Sequence, residues 1–102
     1  PDKKHLERLI EEAVVDCYDE EEQATGLYTM IEESVEFGFE TELLGIPVTV
    51  VGVEMGEGAD IYAVCTRGKK RQKIALADLP LPAKLPPGGE WLLAYRYWRG
   101  YQ

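Results

Sequence analysis

The chain has 102 residues, of which 19 are Asp or Glu and 11 are Lys or Arg, and its formal net charge is -8. This length favours one domain, and a hydrophobic fraction of 45% excludes a disordered acidic tail. The acidic balance argues against nucleic acid as a partner, and no apolar run reaches the roughly 18 residues of a membrane span. Two cysteines make no disulfide framework, which fits a cytoplasmic protein. We also expect a monomer with no nucleic-acid or membrane partner.

Two helices are predicted at the N-terminal end of the chain. Apolar residues recur at helical spacing over about residues 3–18, which indicates an amphipathic first helix. Asp19 is then a predicted N-cap, with Glu22 three residues later as in a capping box. The second helix that follows has its predicted apolar face at Ala24, Leu27, Tyr28, Ile31 and Val35.

From Phe39 onward the apolar period changes to two, which is typical of strands. Strands are predicted at 39–43, 48–55, 61–66 and 73–76. A Pro-rich connector then leads to residues 90–98, which could form a short helix or a strand, and we favour the helix. The single domain thus has a helical acidic part at about 3–37, a β-meander at about 39–77, and a connector with an aromatic C-terminus at 78–102. We predict an α+β fold with two helices packed on a small antiparallel sheet, which could curl into an SH3-like open barrel.

The charge pattern of the first two thirds is the most informative feature. Between Leu9 and Thr66 there are fifteen Asp or Glu residues and no Lys, Arg or His. Such a segment repels itself and has no internal partner for i,i+4 ion pairs. A hard cation, a basic partner or solvent must neutralise it. Clustered oxygen ligands favour Ca²⁺, but the segment has no EF-hand loop, and the acids at 19–22 are also explained as N-cap and first-turn residues.

Four segments of the chain are informative together: the acidic block Val15–Gly26, the helix Tyr28–Val35, the segment Phe37-Gly38-Phe39 and the aromatic C-terminus Tyr95–Tyr101. They resemble the family of small acidic calcium-binding proteins typified by CcbP of cyanobacteria. The chain has Gly38 where that family tends to have Pro, and its Pro-rich connector is long. The resemblance implies an α+β fold and Ca²⁺ binding by acidic surface residues.

We therefore predict a calcium-binding, non-EF-hand protein, acting as a cytosolic buffer or sensor in signalling and not as an enzyme. The candidate ligands are carboxylates on or beside the two helices, completed by backbone carbonyls and waters. They are Asp16, Asp19, Glu20, Glu32, Glu33 and Glu36. The alternative is a metal-independent interaction module whose acidic face binds a basic protein partner.

One further feature is a basic hairpin, formed by Arg67, Lys69, Lys70, Arg71 and Lys73. Lysines on an exposed strand discourage edge-to-edge pairing, which is the simplest interpretation of this segment. An electrostatic docking surface, either for this protein's own acidic helices or for an acidic partner, is the functional interpretation.

Overall fold

The computed structural model describes residues 2–100, so Tyr101 of the predicted aromatic C-terminus lies outside the described residues. Three α-helices and four strands follow in the order α1 (Lys3–Ala13), α2 (Glu20–Ser34), β1 (Phe39–Leu43), β2 (Ile46–Met55), β3 (Ile61–Arg67), β4 (Lys70–Ala75) and α3 (Glu90–Trp98). A short 3-10 helix, Leu76–Asp78, follows β4. The predicted α+β class is confirmed.

Helix α1 ends at Ala13, about five residues before the predicted end. The chain needs these residues to reverse direction before α2, and Asp16 takes a left-handed conformation in the turn, with φ 63. The two helices pass very close to each other beyond that turn. A Cβ built on Gly26 of α2 would lie 2.2 Å from the carbonyl oxygen of Ala13, so only glycine fits at this crossing.

Helix α2 begins where the sequence predicted. The Asp19 side chain accepts a hydrogen bond from the Glu22 backbone N–H at 2.8 Å, which satisfies a free donor of the first turn. Ala24, Leu27 and Ile31 are buried against the rest of the core. The predicted apolar face of this helix is therefore the face that packs against the core.

The four strands form one antiparallel meander in the order β1-β2-β3-β4. Phe39 pairs with Val50, Val50 pairs with Cys65, and the β2–β3 register shifts between Val50 and Gly52 at a bulge. The first and last strands lie at opposite edges. Within residues 2–100 the sheet is therefore open, without the closure of a barrel.

The core lies between one face of this sheet and the helices. Tyr95 of α3 is fully buried, and its hydroxyl donates to the Ala59 carbonyl oxygen at 2.9 Å and accepts from the Ile61 N–H at 3.1 Å. These bonds fix α3 against the β2–β3 turn. No helix within residues 2–100 is long and apolar enough to cross a membrane.

The meander gives the sheet two distinct ends. The β1–β2 and β3–β4 turns lie together at one end, here called the basic end because Lys69 lies in the second turn and Arg67 and Lys70 flank it. The β2–β3 turn lies at the other end, here called the Asp60 end. Six residue steps along β3 separate the two ends by about 20 Å.

Candidate metal centre

The six predicted ligands are exposed and fall into two groups at the two ends of α2. The N-terminal group is Asp16, Asp19 and Glu20, and the C-terminal group is Glu32, Glu33 and Glu36. Glu20 and Glu32 are twelve helical residues apart, which is about 18 Å along the axis. Ligands of one Ca²⁺ ion lie at most about 5 Å from each other, since each oxygen is 2.3–2.6 Å from the metal. One ion therefore cannot be held by both groups.

The N-terminal group is positioned by the turn between the two helices. Asp16 precedes α2 in its left-handed conformation, Asp19 caps the helix, and Glu20 is its first residue. Backbone N–H groups point out of the first turn at this place, and the helix dipole favours negative charge there. The dipole thus reduces the repulsion among these carboxylates without any added cation.

Arg99, at the C-terminal end of α3, brings a further carboxylate to this group. Its Nη1 lies 3.3 Å from Glu20 Oε1, and its Nη2 lies 2.7 Å from Asp60 Oδ1. Carboxylates from α2 and from the β2–β3 turn thus contact the same guanidinium. The arginine is mostly covered, with 28% of its side chain exposed, whereas Glu20 and Asp60 are 68% and 44% exposed.

Neighbouring contacts hold the end of α3 beside these carboxylates. Trp98 Nε1 donates to Gln23 Oε1 at 3.0 Å. A shallow depression of about 420 Å³ is lined by Tyr18, Asp19, Glu20, Gln23, Trp98 and Arg99. Burial raises the pKa of the Tyr95 phenol, so its proton stays in place to bond the backbone next to Asp60 at neutral pH.

The C-terminal group has different surroundings. The Tyr28 hydroxyl lies 3.0 Å from Glu32 Oε2 and 3.3 Å from the Val53 carbonyl oxygen, and its one proton serves these two acceptors. Burial and the hydrogen bond to Glu32 raise the pKa of Tyr28. Glu36 follows α2, where its backbone N–H donates to the Pro87 carbonyl oxygen at 2.9 Å. No contact within residues 2–100 joins these three carboxylates to one another.

The arrangement offers oxygen ligands but no complete coordination site for a metal ion. Within residues 2–100, no three His, Cys, Asp or Glu side chains converge closely enough to hold a metal ion. The oxygen donors of the N-terminal group and Asp60 suit a hard cation such as Ca²⁺, which also accepts carbonyl and water oxygens in a flexible geometry. A cation at this place would have to draw the exposed carboxylates together and replace the contacts of Arg99.

Asp60 and Arg99 are not among the residues that the sequence predicted for this site. Asp60 lies in a glycine-rich turn 40 residues after Glu20, and only the fold brings the two together. A signal was nevertheless present, since a segment of fifteen acids without a base can be neutralised by a base from elsewhere in the chain. The sequence predicted neutralisation by a metal, a partner, solvent or the basic hairpin, and not by Arg99.

Comparisons with known proteins show which family and which fold the chain shares. A family described as "Calcium binding", of the CcbP type, matches residues 7–99. A solved calcium-binding protein in the calcium-binding form shares 24% identity and a TM-score of 0.74, covering 98% of this chain and 94% of its own. The crystal structure of Anabaena CcbP shares 20% identity and a TM-score of 0.69, covering 100% of this chain and 96% of its own.

A search of curated proteins gave no match. The two solved structures share the fold of this chain, and the family match covers nearly its whole length. That family is defined by calcium binding, which is not an enzyme class. The chain therefore belongs to the CcbP-type family of calcium-binding proteins, as its sequence predicted.

Proposed function

We propose that the chain binds Ca²⁺ at the N-terminal end of α2, through Asp16, Asp19 and Glu20 together with Asp60 from the β2–β3 turn. The site would operate in the cytosol, where the free thiols of Cys17 and Cys65 are compatible with a reducing compartment. Its role there is that of a Ca²⁺ buffer or sensor without catalytic activity.

The observation that carries this proposal is the position of Arg99. One cationic group already sits between Glu20 and Asp60, so the fold brings two carboxylates from distant parts of the sequence to a single positive charge. Ion pairs at exposed carboxylates contribute only about 0–1 kcal/mol each. A divalent ion with several oxygen ligands can therefore replace the arginine.

Calorimetry on chelator-treated protein tests the proposal. We expect a dissociation constant in the broad range of roughly 10⁻⁷ to 10⁻⁴ M for Ca²⁺, and much weaker binding of Mg²⁺, which dehydrates reluctantly. Asp16→Asn and Glu20→Gln should each weaken Ca²⁺ binding by about tenfold or more, equivalent to about 1.4 kcal/mol. No heat at millimolar Ca²⁺ would refute the proposal.

Glu42→Gln is the matched control for these variants. Glu42 is an exposed carboxylate on β1 next to the basic end of the sheet, and its substitution removes the same charge. We expect it to leave the affinity nearly unchanged. An equal, small loss in all three variants would indicate a diffuse electrostatic attraction and would refute the proposed ligands.

The fluorescence of Trp98 can distinguish a Ca²⁺ sensor from a Ca²⁺ buffer. Its indole donates to Gln23, and it is the neighbour of Arg99 in the chain. If Ca²⁺ displaces Arg99, the end of α3 should move, and the tryptophan fluorescence should change in proportion to occupancy. A buffer needs no such movement and should bind Ca²⁺ with unchanged fluorescence.

The metal-independent alternative also has an observation in its favour. Arg99 already neutralises part of the acidic cluster, and no three metal-ligating side chains converge within residues 2–100. Such a module would bind a basic protein with equal affinity in chelator and in Ca²⁺, and it would respond to calcium only as it responds to salt. The same calorimetric titration separates the two functions.

A further inference from the structure

The basic end of the sheet combines two turns of different character. Because the strands form an antiparallel meander, the β1–β2 turn and the β3–β4 turn lie side by side, two strand spacings or about 10 Å apart. The first turn carries Leu44 at its tip. The second carries Lys69 between Gly68 and Lys70.

Leu44 and Gly45 form the two-residue turn of the β1–β2 hairpin, and both have positive φ, as the type I′ turns common at this length require. The turn accounts for the backbone of Leu44 but not for its leucine side chain. Its side chain is fully exposed, at 101% of the reference area, and its backbone has φ 51. A leucine rarely adopts this left-handed conformation, which glycine adopts without strain. The turn therefore holds a large apolar side chain in water and at a conformational cost, and residues held this way concentrate at binding sites.

The neighbouring hairpin has four exposed bases, Arg67, Lys69, Lys70 and Arg71, of which Arg67 and Lys70 line a depression together with Leu44. Arg71 stands between Lys70 and Gln72 of that depression along β4, so it lies on the outer face of the sheet. The nearest acids are Glu40 and Glu42 of β1, whose alternation with buried Thr41 places them on the opposite face of the sheet from the core. The carboxylate of Asp60 is about 20 Å away, at the other end of β3. That distance exceeds the Debye length of about 8 Å at physiological ionic strength, so Asp60 does not offset the bases. Glu40 and Glu42 offset them in part, since they line a depression together with Leu44, and four bases against two acids leave this end with a net positive charge.

The core-side face between the two turns is not covered by the helices. An apolar depression of about 240 Å³ lies there, and strands and turns alone form its walls. Its lining includes Leu43, Ile46 and Val48 together with Arg67 and Lys70, and no acidic residue. The exposed leucine thus continues into an apolar surface with a basic border.

Protection of the sheet edge explains only part of this arrangement. β4 is an edge strand, and its exposed bases discourage pairing with another chain. Lys73, which lies 3.5 Å from Glu54, fits that role. A protruding leucine on the adjacent turn does the opposite, because it adds apolar surface where protection requires charge.

We propose that the basic end docks on the surface of an anionic phospholipid bilayer, with Leu44 inserted among the acyl chains and the hairpin bases on the headgroups. A single leucine at the tip of a turn suits a fluid surface that closes around it, whereas an acidic protein would need a matching hollow. Juxtamembrane bases strengthen such binding, and an apolar anchor supplies the second signal. This departs from the sequence-based expectation of no membrane partner, which rested on the lack of a spanning segment.

Vesicle flotation tests the proposal with phosphatidylcholine vesicles that contain or lack phosphatidylserine. Chelator is present throughout, because Ca²⁺ can bridge carboxylates to anionic lipids and would confuse this surface with the calcium site. We expect binding only to the anionic vesicles, weakening as salt rises. Leu44→Gly should reduce this binding by about tenfold or more, since it removes the side chain that enters the acyl chains of the bilayer. It should also leave the fold intact, because glycine suits the positive φ.

Two matched controls make the test specific. A triple variant of the hairpin should lose most of the vesicle binding: Lys69→Gln, Lys70→Gln and Arg71→Gln. A triple variant of α1 removes the same charge and should keep the binding: Lys3→Gln, Lys4→Gln and Arg8→Gln. Val15→Gly removes an exposed apolar side chain on the acidic side and should have no effect. Absence of vesicle binding at low salt, equal binding of Leu44→Gly, or equal losses in both triple variants would overturn the proposal. Capture of polyglutamate without vesicle binding would overturn it in favour of an acidic protein partner.

Discussion

At the scale of single residues, Arg99 is the side chain on which the acidic cluster depends. The stretch from Leu9 to Thr66 contains no base, yet the fold places this arginine against two of its carboxylates. The resulting ion pairs are partly exposed and therefore weak. They hold Glu20 and Asp60 in place while remaining open to competition from a stronger cation.

Arg99→Gln should strengthen Ca²⁺ binding. Removing a competing cation with two weak contacts should lower the dissociation constant by roughly threefold to tenfold. Calorimetry at low and at high salt measures the effect, which should shrink as screening increases. Arg71→Gln, which removes the same charge at the basic end about 20 Å away, should leave the affinity unchanged. A weaker affinity in Arg99→Gln would instead mean that the arginine positions the ligands and does not compete with the ion.

At the scale of elements, the crossing of α1 and α2 determines where the acidic turn lies. Gly26 permits the close approach, since any Cβ would overlap the carbonyl of Ala13. The turn that follows α1 then places Asp16 and Asp19 beside the first residue of α2. The geometry of the candidate site therefore depends on a glycine that is not itself a ligand.

Gly26→Ala should destabilise the protein, although helix propensity alone predicts the reverse. In an open helix this substitution adds about 1 kcal/mol of stability. Here the two helices must separate to admit the methyl group, and such overpacking costs about 1–3 kcal/mol. Urea unfolding should show a lower midpoint than in the wild type. A higher midpoint would show that the crossing relaxes easily.

Substitutions at the two ends of α2 should affect calcium binding independently of each other. Because about 18 Å separates Glu20 from Glu32, substitutions at the two ends share no ligand. Glu32→Gln with Glu36→Gln should not change the affinity of the N-terminal site. When combined with Asp16→Asn and Glu20→Gln, the effects on binding free energy should add within about 0.5 kcal/mol. Strong coupling between the two pairs would imply that the ends meet in the bound state.

At the scale of the whole molecule, charge is separated along the sheet. The acidic helical turn, Asp60 and Arg99 lie at one end, and the basic hairpin lies at the other. Calcium would reduce the repulsion at the first end without screening the bases at the second. The two proposed surfaces can therefore act on different ligands in one small domain.

Ca²⁺ should raise the thermal stability of the whole domain. Binding to the native state alone at 100 times the dissociation constant adds about 2.7 kcal/mol. For a domain of this size, each kcal/mol shifts the melting temperature by roughly 4–8 °C, so an increase of about 10–20 °C is expected between chelator and saturating Ca²⁺. Mg²⁺ at the same concentration controls for ionic strength. Equal melting curves in chelator and in Ca²⁺ would contradict a site in the native state.

Local sequence patterns determined much of the fold. Helical spacing and the Asp19 cap placed the start of α2, period-two alternation placed β1, and the final helix over 90–98 was predicted from its own residues. The family resemblance added the calcium-binding function that the family match confirms. These features depend on neighbouring residues or on short motifs, which is why they are readable along the chain.

Tertiary structure alone decided how the acids are arranged. The sequence grouped six carboxylates by density, but the length of α2 divides them, and contacts over 39 and 79 residues bring Asp60 and Glu20 to Arg99. The juxtaposition of Leu44 with the basic hairpin likewise follows from strand order. The sequence determines the number of charges that must be neutralised. The energy of each interaction depends on the separation of the charges, and that separation is set by packing between elements that are remote in sequence.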